Sequence, residues 1–150
     1  MFKRSFALIL LIGVLAVLGS AQTKTVIKDQ KAGKMMLGRH KISLQWISWD
    51  YFGLANVTNK KGMFYLSGEQ KGRKSTDFVK VDGIITSISG NEFTFEGKVT
   101  TQVTHINGGK PCTREGEMVF RVTGKRKYWR LQAIDNPCDS VADYVDIYFR

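Results

Sequence analysis

Residues 124–130 read GKRKYWR and combine four cations with two aromatic rings, the densest such cluster in the chain. Cationic side chains bind phosphate and aromatic rings stack on bases or sugars, so this composition is typical of anion-binding and nucleic-acid-binding surfaces. It also fits a solvated hairpin turn whose charges oppose edge-to-edge aggregation. Both interpretations stay open, and the candidate anion-binding side chains here are Arg121, Lys125, Arg126, Lys127, Tyr128 and Arg130.

A second candidate site is the segment HINGGKPC at residues 105–112. His105 continues the alternation of the strand before it, which predicts an inward-facing ring at the rim of a barrel, beside a glycine-rich loop. A histidine in that place can act as a general base or bind an anion together with Asn107 and Lys110. The alternative is a structural histidine that is hydrogen-bonded to the loop.

The chain has two histidines, His40 and His105. With the many cations they supply the minimum of a metal-free ribonuclease, which needs a base, an acid and a cation for the phosphate. The sequence lacks a glycine-rich phosphate loop, a nucleophile elbow and an HExxH pair. We predict no catalytic residue, no metal ligand and no cofactor, and keep a small secreted ribonuclease as an alternative.

The N-terminus has the order of a secretory signal peptide. Lys3 and Arg4 precede an apolar run at residues 6–18, which is shorter than the roughly 20 residues of a spanning helix, and small residues follow. We predict a signal peptide at 1–21, a periplasmic or extracellular chain, and no stable membrane insertion after cleavage. Cleavage would lower the formal charge of +10 by two, to +8. Such a surplus attracts anionic partners or serves solubility alone.

Cys112 and Cys138 are the two cysteines of the chain. Two thiols in an oxidising compartment pair by default, and neither has the spacing of a CxxC or Cys–His metal site. We therefore predict a disulfide, which contributes on the order of 3 kcal/mol by restricting the unfolded chain.

The elements that position these residues read as β-strands. From His40 onward, short segments rich in Val, Ile, Thr and aromatic residues are broken by Gly, Asn and Lys clusters. Residues 93–103 follow period two, with all their large apolar residues on one face, whereas residues 78–88 change parity around Gly83, which predicts a bulge. About eight short antiparallel strands fit an all-β domain, either a small up-and-down barrel or a two-sheet sandwich.

The domain organisation predicted from these patterns has three parts. A flexible arm without periodicity follows the signal peptide at residues 22–39, and a single β domain occupies residues 40–150. Within the domain, the apolar residues of 42–49 switch faces, which predicts a bulge or a strand buried on both sides.

A hairpin closed by the GKRKYWR segment accounts for its rings and charges. The pairing that sets Phe120 opposite Leu131 puts the apolar residues on one face and, extended outward, brings the two cysteines opposite each other to within about one residue. Trp129 then lies in the core and cannot stack on a base. Tyr128 and Arg130 face outward and remain available to an anion.

Three runs resemble segments of small exported bacterial β-domain proteins of unassigned function: HINGGKPC, GKRKYWRLQ and DNPCD. The resemblance covers the chain from Ile42 to the C-terminus. It implies a cysteine-paired β-domain and transfers no catalytic or binding role to any residue.

The leading functional hypothesis is an exported, non-enzymatic β module. It binds an anionic envelope or extracellular partner through the basic hairpin and the loop at residues 105–110. A protein inhibitor or assembly module that uses one exposed loop is the alternative outside the ribonuclease class. The sequence does not identify the partner.

Overall fold

The structure is a computed structural model that describes residues 23–150, so the predicted signal peptide at 1–21 lies outside the described residues. None of the helices in residues 23–150 has the length and apolar content that a bilayer crossing requires. A 3-10 helix at Asn107–Gly109 separates the sixth and seventh strands. The other elements are β1 (Val26–Ile27), α1 (Gln30–Met36), β2 (Gly38–Leu44), β3 (Gly53–Lys60), β4 (Met63–Lys71), β5 (Phe78–Ile88), β6 (Glu92–Gln102), β7 (Cys112–Arg121), β8 (Tyr128–Leu131) and β9 (Val145–Tyr148).

Strands β2 to β9 form a closed up-and-down barrel. Each pairs antiparallel with the next along the chain, and β9 pairs with β2 through Ile42 opposite Ile147 and Leu44 opposite Val145. β1 adds a short parallel pair to the end of β5. The all-β prediction is confirmed, and the barrel, not the sandwich, is the architecture.

The barrel interior is filled by aromatic and branched side chains from alternate positions. Trp129, Phe93 and Phe120 are almost completely buried, with the Phe93 and Phe120 rings stacked 4.9 Å apart and Trp129 edge-on to Phe93 at 5.8 Å. Each such side chain contributes roughly 1.5–3 kcal/mol through burial. The predicted alternation of residues 93–103 and the core position of Trp129 are confirmed.

Gly83 serves the packing of an aromatic ring and is not the site of a bulge. It pairs with Gly97, and a Cβ on either glycine would lie 2.7 Å from the other's Cα and no more than 2.8 Å from the Phe95 ring. The two glycines therefore let that ring lie flat on the sheet. The predicted parity change occurs between Ile85 and Ser87, where the register of β5 and β6 shifts.

The segment at residues 22–39 is not a flexible arm in its described part. Asp29 caps α1 by accepting a hydrogen bond from the Ala32 amide at 2.9 Å, and α1 buries Ala32 and Met36 against the core. Thr25 donates to the Ile85 carbonyl at 2.6 Å. The helix closes one end of the barrel, but its seven residues bury too few side chains to show a periodic pattern.

The face switch within residues 42–49 marks the end of a strand, where a bulge or a strand buried on both sides was expected. β2 ends at Leu44, and the amide of Ile47 donates to the Leu44 carbonyl at 3.0 Å in the turn that follows. Trp46 and Ile47 pack against the core from this turn, at the end of the barrel opposite α1.

The seam between β7 and β8 is closed by side chains. Backbone pairing covers Phe120–Leu131, as predicted, and Arg121–Arg130, and it ends with the Gln132 amide, which donates to the Val119 carbonyl at 2.8 Å. Beyond it, the inward-facing Arg114 donates from Nε to the Ala133 carbonyl at 2.9 Å and from Nη2 to the Asp135 carbonyl at 2.9 Å.

A buried ion pair and a disulfide complete the same seam. Arg114 Nη2 lies 3.0 Å from Asp143 Oδ2, and the indole of Trp46 donates to Asp143 Oδ1 at 3.1 Å. Cys112 and Cys138 form the predicted disulfide, with their Cα atoms 6.0 Å apart. A disulfide indicates an oxidising compartment outside the cytoplasm.

Reduction of this disulfide is expected to lower stability by on the order of 3 kcal/mol, since it frees a loop between cysteines 26 residues apart. Thermal melts followed by far-UV circular dichroism, with and without reductant, measure the change. The β-rich spectrum should persist below the lowered Tm. An unchanged Tm in protein shown to be reduced would contradict the prediction.

Arg114→Met is expected to destabilise the fold by about 3–5 kcal/mol, because it leaves a buried carboxylate without its cation. The matched control is Arg121→Met on the same strand, where the ion pair with Glu92 is half-exposed and contributes no more than about 1 kcal/mol. Urea denaturation compares the two variants. Equal losses would show that the Arg114 pair has no special structural role.

Candidate anion-binding groove

The residues predicted to bind an anion lie at opposite ends of the barrel. The loop at 103–111 precedes β7, and the turn at 122–127 follows it. The ten residues of β7 separate them by roughly 30 Å, at the usual rise of a strand. A single small ligand cannot reach both. We call the end covered by α1, with the turn at 122–127, the helix end, and the end with the loop at 103–111 the loop end.

His105 is exposed at the loop end and does not face inward. β6 ends at Gln102, so the alternation stops before His105, and the buried position passes to Ile106. The His105 ring packs edge-on against Trp46, with ring centroids 5.7 Å apart. This contact anchors the loop to the turn that follows β2.

Asn107 and Lys110 shape the same loop. The Asn107 amide donates to Asp139 Oδ2 at 2.7 Å, and its Nδ2 donates to the Lys110 carbonyl at 3.3 Å. Backbone N–H groups of Asn107 and Ser140 hold the pKa of Asp139 below its ordinary value. The polar groups of Asn107 are thus engaged in hydrogen bonds that stabilise the loop, whereas the Lys110 side chain is exposed.

The two histidines do not form a catalytic pair. His40 lies near the helix end, is 2% exposed, and has Nδ1 3.0 Å from the Tyr148 carbonyl and Nε2 2.8 Å from the Met36 carbonyl. His105 lies at the loop end. The acid–base arrangement that a two-histidine ribonuclease requires is therefore missing from this geometry.

Two arginines of the predicted anion-binding surface are already paired. Arg121 Nε donates to Glu92 Oε2 at 2.7 Å. Arg130 contacts the fully buried Asp146 through Nε and Nη2, both at 2.7 Å, and this hydrogen bonding raises the Arg130 pKa. Its guanidinium also lies 5.2 Å from the centre of the Tyr128 ring. Arg130 is therefore committed to an internal partner and mostly buried, whereas Arg121 uses only Nε for Glu92 and its side chain is 43% exposed.

The tip of the hairpin leaves its cations free. Gly124 adopts φ +59°, which an L side chain rarely tolerates, and so permits the tight turn. Lys125, Arg126 and Lys127 are exposed, and none forms an ion pair with another residue of 23–150. The Arg126 guanidinium donates to the Thr123 hydroxyl at 3.2 Å and lies 5.7 Å from the centre of the Tyr128 ring.

The fold gathers further exposed cations at the helix end. The Phe149 amide donates to the Lys127 carbonyl at 2.9 Å, which fixes the C-terminal residues beside the turn. Three described acidic side chains lie at this end or next to it: Asp29, which caps α1, Glu92, which pairs with Arg121, and the buried Asp146, which pairs with Arg130. The cations that join the three of the turn are Lys24, Lys28, Lys31, Lys34, Arg39, Lys60, Lys61 and Arg150.

A groove of about 400 Å³ runs along the outer wall from the helix end, between β2, β3 and β9. That volume lies in the range of small-molecule sites. None of its lining side chains is acidic. We call it the basic groove, and its lining residues are Arg39, His40, Lys41, Phe52, Leu54, Lys127, Tyr148, Phe149 and Arg150.

Aromatic rings form the wall of the basic groove. Phe52 is edge-on to Tyr148 at 5.0 Å, and Lys41 Nζ lies 5.1 Å from the centre of the Phe52 ring. Tyr148 continues to Tyr128 at 5.3 Å, so one row of rings joins the groove to the GKRKYWR segment. Burial raises the pKa of Tyr148, against the effect of its hydrogen bond with Ser43, so the phenol is neutral at physiological pH.

Sequence reasoning missed most of this groove. One signal was present: Leu54 shares the outward face of β3 with Asn56, whereas Ala55 and Val57 face inward. Parity thus marks Leu54 as an apolar residue on a polar face. Pairing of β9 with β2 places Tyr148 at the other side of the groove, and no local pattern in the sequence predicts that contact.

Comparisons with known proteins place the chain among bacterial relatives. It is 44% identical over 142 residues to the uncharacterized protein PM1083 of Pasteurella multocida (strain Pm70), an alignment that covers 93% of this chain and 92% of the relative. No solved structure matches the chain. The resemblance to uncharacterised bacterial proteins is confirmed. The model of the PM1083 family matches residues 24–149, and the chain therefore belongs to the PM1083 family.

Proposed function

We propose that the protein is an exported, non-enzymatic binding module that holds an anionic partner against the helix end of its barrel. The observation that carries this proposal is the segregation of charge. Eleven exposed cations, eight from the surrounding elements and three from the turn, face three acidic side chains that are each already engaged, namely Asp29, Glu92 and the buried Asp146.

The cations of the helix end differ from the arginines that stabilise the fold. Arg114, Arg121 and Arg130 each have a carboxylate within 3.0 Å. None of the eleven has such a partner among the described residues. Each exposed charge attracts an anion weakly in water, but charges of one sign on one surface add to a field that concentrates and orients polyanions.

Two features support export. The predicted signal peptide provides the route, and the Cys112–Cys138 disulfide fits an oxidising compartment. A periplasmic or extracellular module meets acidic polysaccharides, anionic lipid head groups and acidic proteins, all of which present repeated negative charge.

A protein-inhibitor or assembly role is the second candidate, and Trp49 is the observation that favours it. Its side chain is 53% exposed at the loop end. Nearby, the Arg73 guanidinium lies 4.2 Å from the centre of the Tyr51 ring. Exposed Trp, Tyr and Arg side chains are the types that dominate binding energy at protein interfaces.

Replacement of Lys125, Arg126 and Lys127 by alanine is expected to weaken binding of a labelled single-stranded RNA, used as a general polyanion. The slope of log K against log salt is negative, and it should become less negative by about 2, because each lost phosphate contact removes about 0.7 from its magnitude. Fluorescence anisotropy across a salt series gives the slope, and a gel of the same samples tests for cleavage.

The matched control replaces Lys71, Arg73 and Lys74 at the loop end, which removes the same charge from the other end of the barrel. Its slope should change by less than half as much. Equal slopes for the two triple variants, or no binding at low salt, would refute the helix end as the site. Shortened RNA would overturn the non-enzymatic assignment.

A further inference from the structure

We infer that the basic groove binds a single-chain amphiphile with an anionic head group. This inference deepens the proposed function and rests on it, since it names the class of ligand that the cationic end attracts. It derives from the order of side chains along the groove, which is cationic at the helix end and apolar further along the wall.

Strand direction sets the cationic half. β2 runs from the helix end toward the loop end, so Arg39 lies nearer the helix end than Lys41 does. Lys127 and Arg150 reach the same place from the turn and the C-terminal residues, and the Arg150 guanidinium donates to the Lys34 carbonyl at 3.4 Å. Arg39, Lys127 and Arg150 thus converge without a carboxylate among the lining side chains, an arrangement complementary to a phosphate or carboxylate head group.

Strand pairing sets the apolar half. Leu54 lies opposite Lys41 in the β2–β3 ladder, and Phe52 precedes it on the loop-end side. Leu54 is 48% exposed and Phe52 is 36% exposed, and they are two of the four large apolar residues in 23–150 with exposure of this size. Exposed apolar side chains that share one groove mark a ligand site more often than isolated ones do.

Lys41 and Tyr148 connect the two halves. The Lys41 ammonium lies over the Phe52 ring, and the Tyr148 ring packs against the same phenylalanine. An acyl chain against Phe52 and Leu54 therefore removes apolar surface from water while its head group stays among the cations. A small anion alone would leave the apolar half wet, and a neutral amphiphile would leave the cations without a counter-charge.

The probe that tests this inference is decyl phosphate, kept below its micelle concentration and titrated into the oxidised protein. Amide chemical shifts in NMR spectra give both the affinity and the location. Decyl phosphate should shift the amides of β2, β3 and β9, and should bind at least tenfold more tightly than inorganic phosphate and decyl maltoside, because only it satisfies both halves.

Two variants, one in each half of the groove, are compared with matched controls. Leu54→Ser should weaken decyl phosphate binding about fivefold, whereas Val26→Ser, at an equally exposed position on β1, should leave it unchanged. Lys127→Gln should weaken it roughly threefold, whereas Lys74→Gln, at an exposed position in the loop after β4, should not. Circular dichroism and Tm confirm that each variant is folded.

Several outcomes would overturn the inference. They are absence of decyl phosphate binding, equal affinity for inorganic phosphate or decyl maltoside, equal losses in variants and controls, and binding to phosphatidylglycerol vesicles without binding of the monomer. If the protein binds RNA but does not bind decyl phosphate, the groove assignment is wrong and the proposed function stands. If both fail, the proposed function is wrong as well.

Discussion

Pairing of β9 with β2 is the contact on which the rest of the structure depends. It joins residues more than 100 positions apart, with Ile42 opposite Ile147, and turns an eight-strand meander into a closed ring of strands. Without it, β2 and β9 would both be edge strands and the aromatic core would open to water. The same pairing brings Tyr148 next to Phe52 and so creates the basic groove. Closure of the core and formation of the candidate site are thus one event.

The barrel is held at its weakest seam by polar groups. β8 has four residues and β7 has ten, so most of β7 lacks a backbone partner on one side. Arg114 replaces part of that ladder by donating to the carbonyls of the segment after β8, and Asp143 compensates its buried charge. The disulfide adds a covalent link at the same seam. A hydrophobic side chain in place of Arg114 would leave those carbonyls unsatisfied, at a cost comparable to the hydrogen bonds themselves.

Local patterns in the sequence predicted the features that neighbouring residues determine, namely which face of a strand is buried and how two consecutive strands pair. Alternation over residues 93–103 reported the faces of β6, and the apolar pairing of Phe120 with Leu131 fixed a register that also aligned the two cysteines. Several features that depend on tertiary context were not visible in local patterns. α1 buries only two apolar side chains and Gly33, so its sequence looks like a loop. In the sequence, His105 continues the alternation of β6, but in the structure it lies three residues beyond the end of that strand. Arg130 and Arg121 look like ligand-binding cations because their partners, Asp146 and Glu92, lie 16 and 29 residues away.

The distribution of charge is the feature least explained by folding. Solubility is served by cations and anions mixed over the surface, and the wall formed by β5, β6 and β7 has that mixture, with Asp82, Glu96, Lys98 and Glu115 close together. The helix end does not, and like charges crowded on one surface oppose the compact state through mutual repulsion. A bound anion would relieve that repulsion and stabilise the folded chain in proportion to its concentration over its Kd. The segregated cations, and the exposed Phe52 and Leu54 beside them, are therefore better explained by a ligand than by the needs of the barrel.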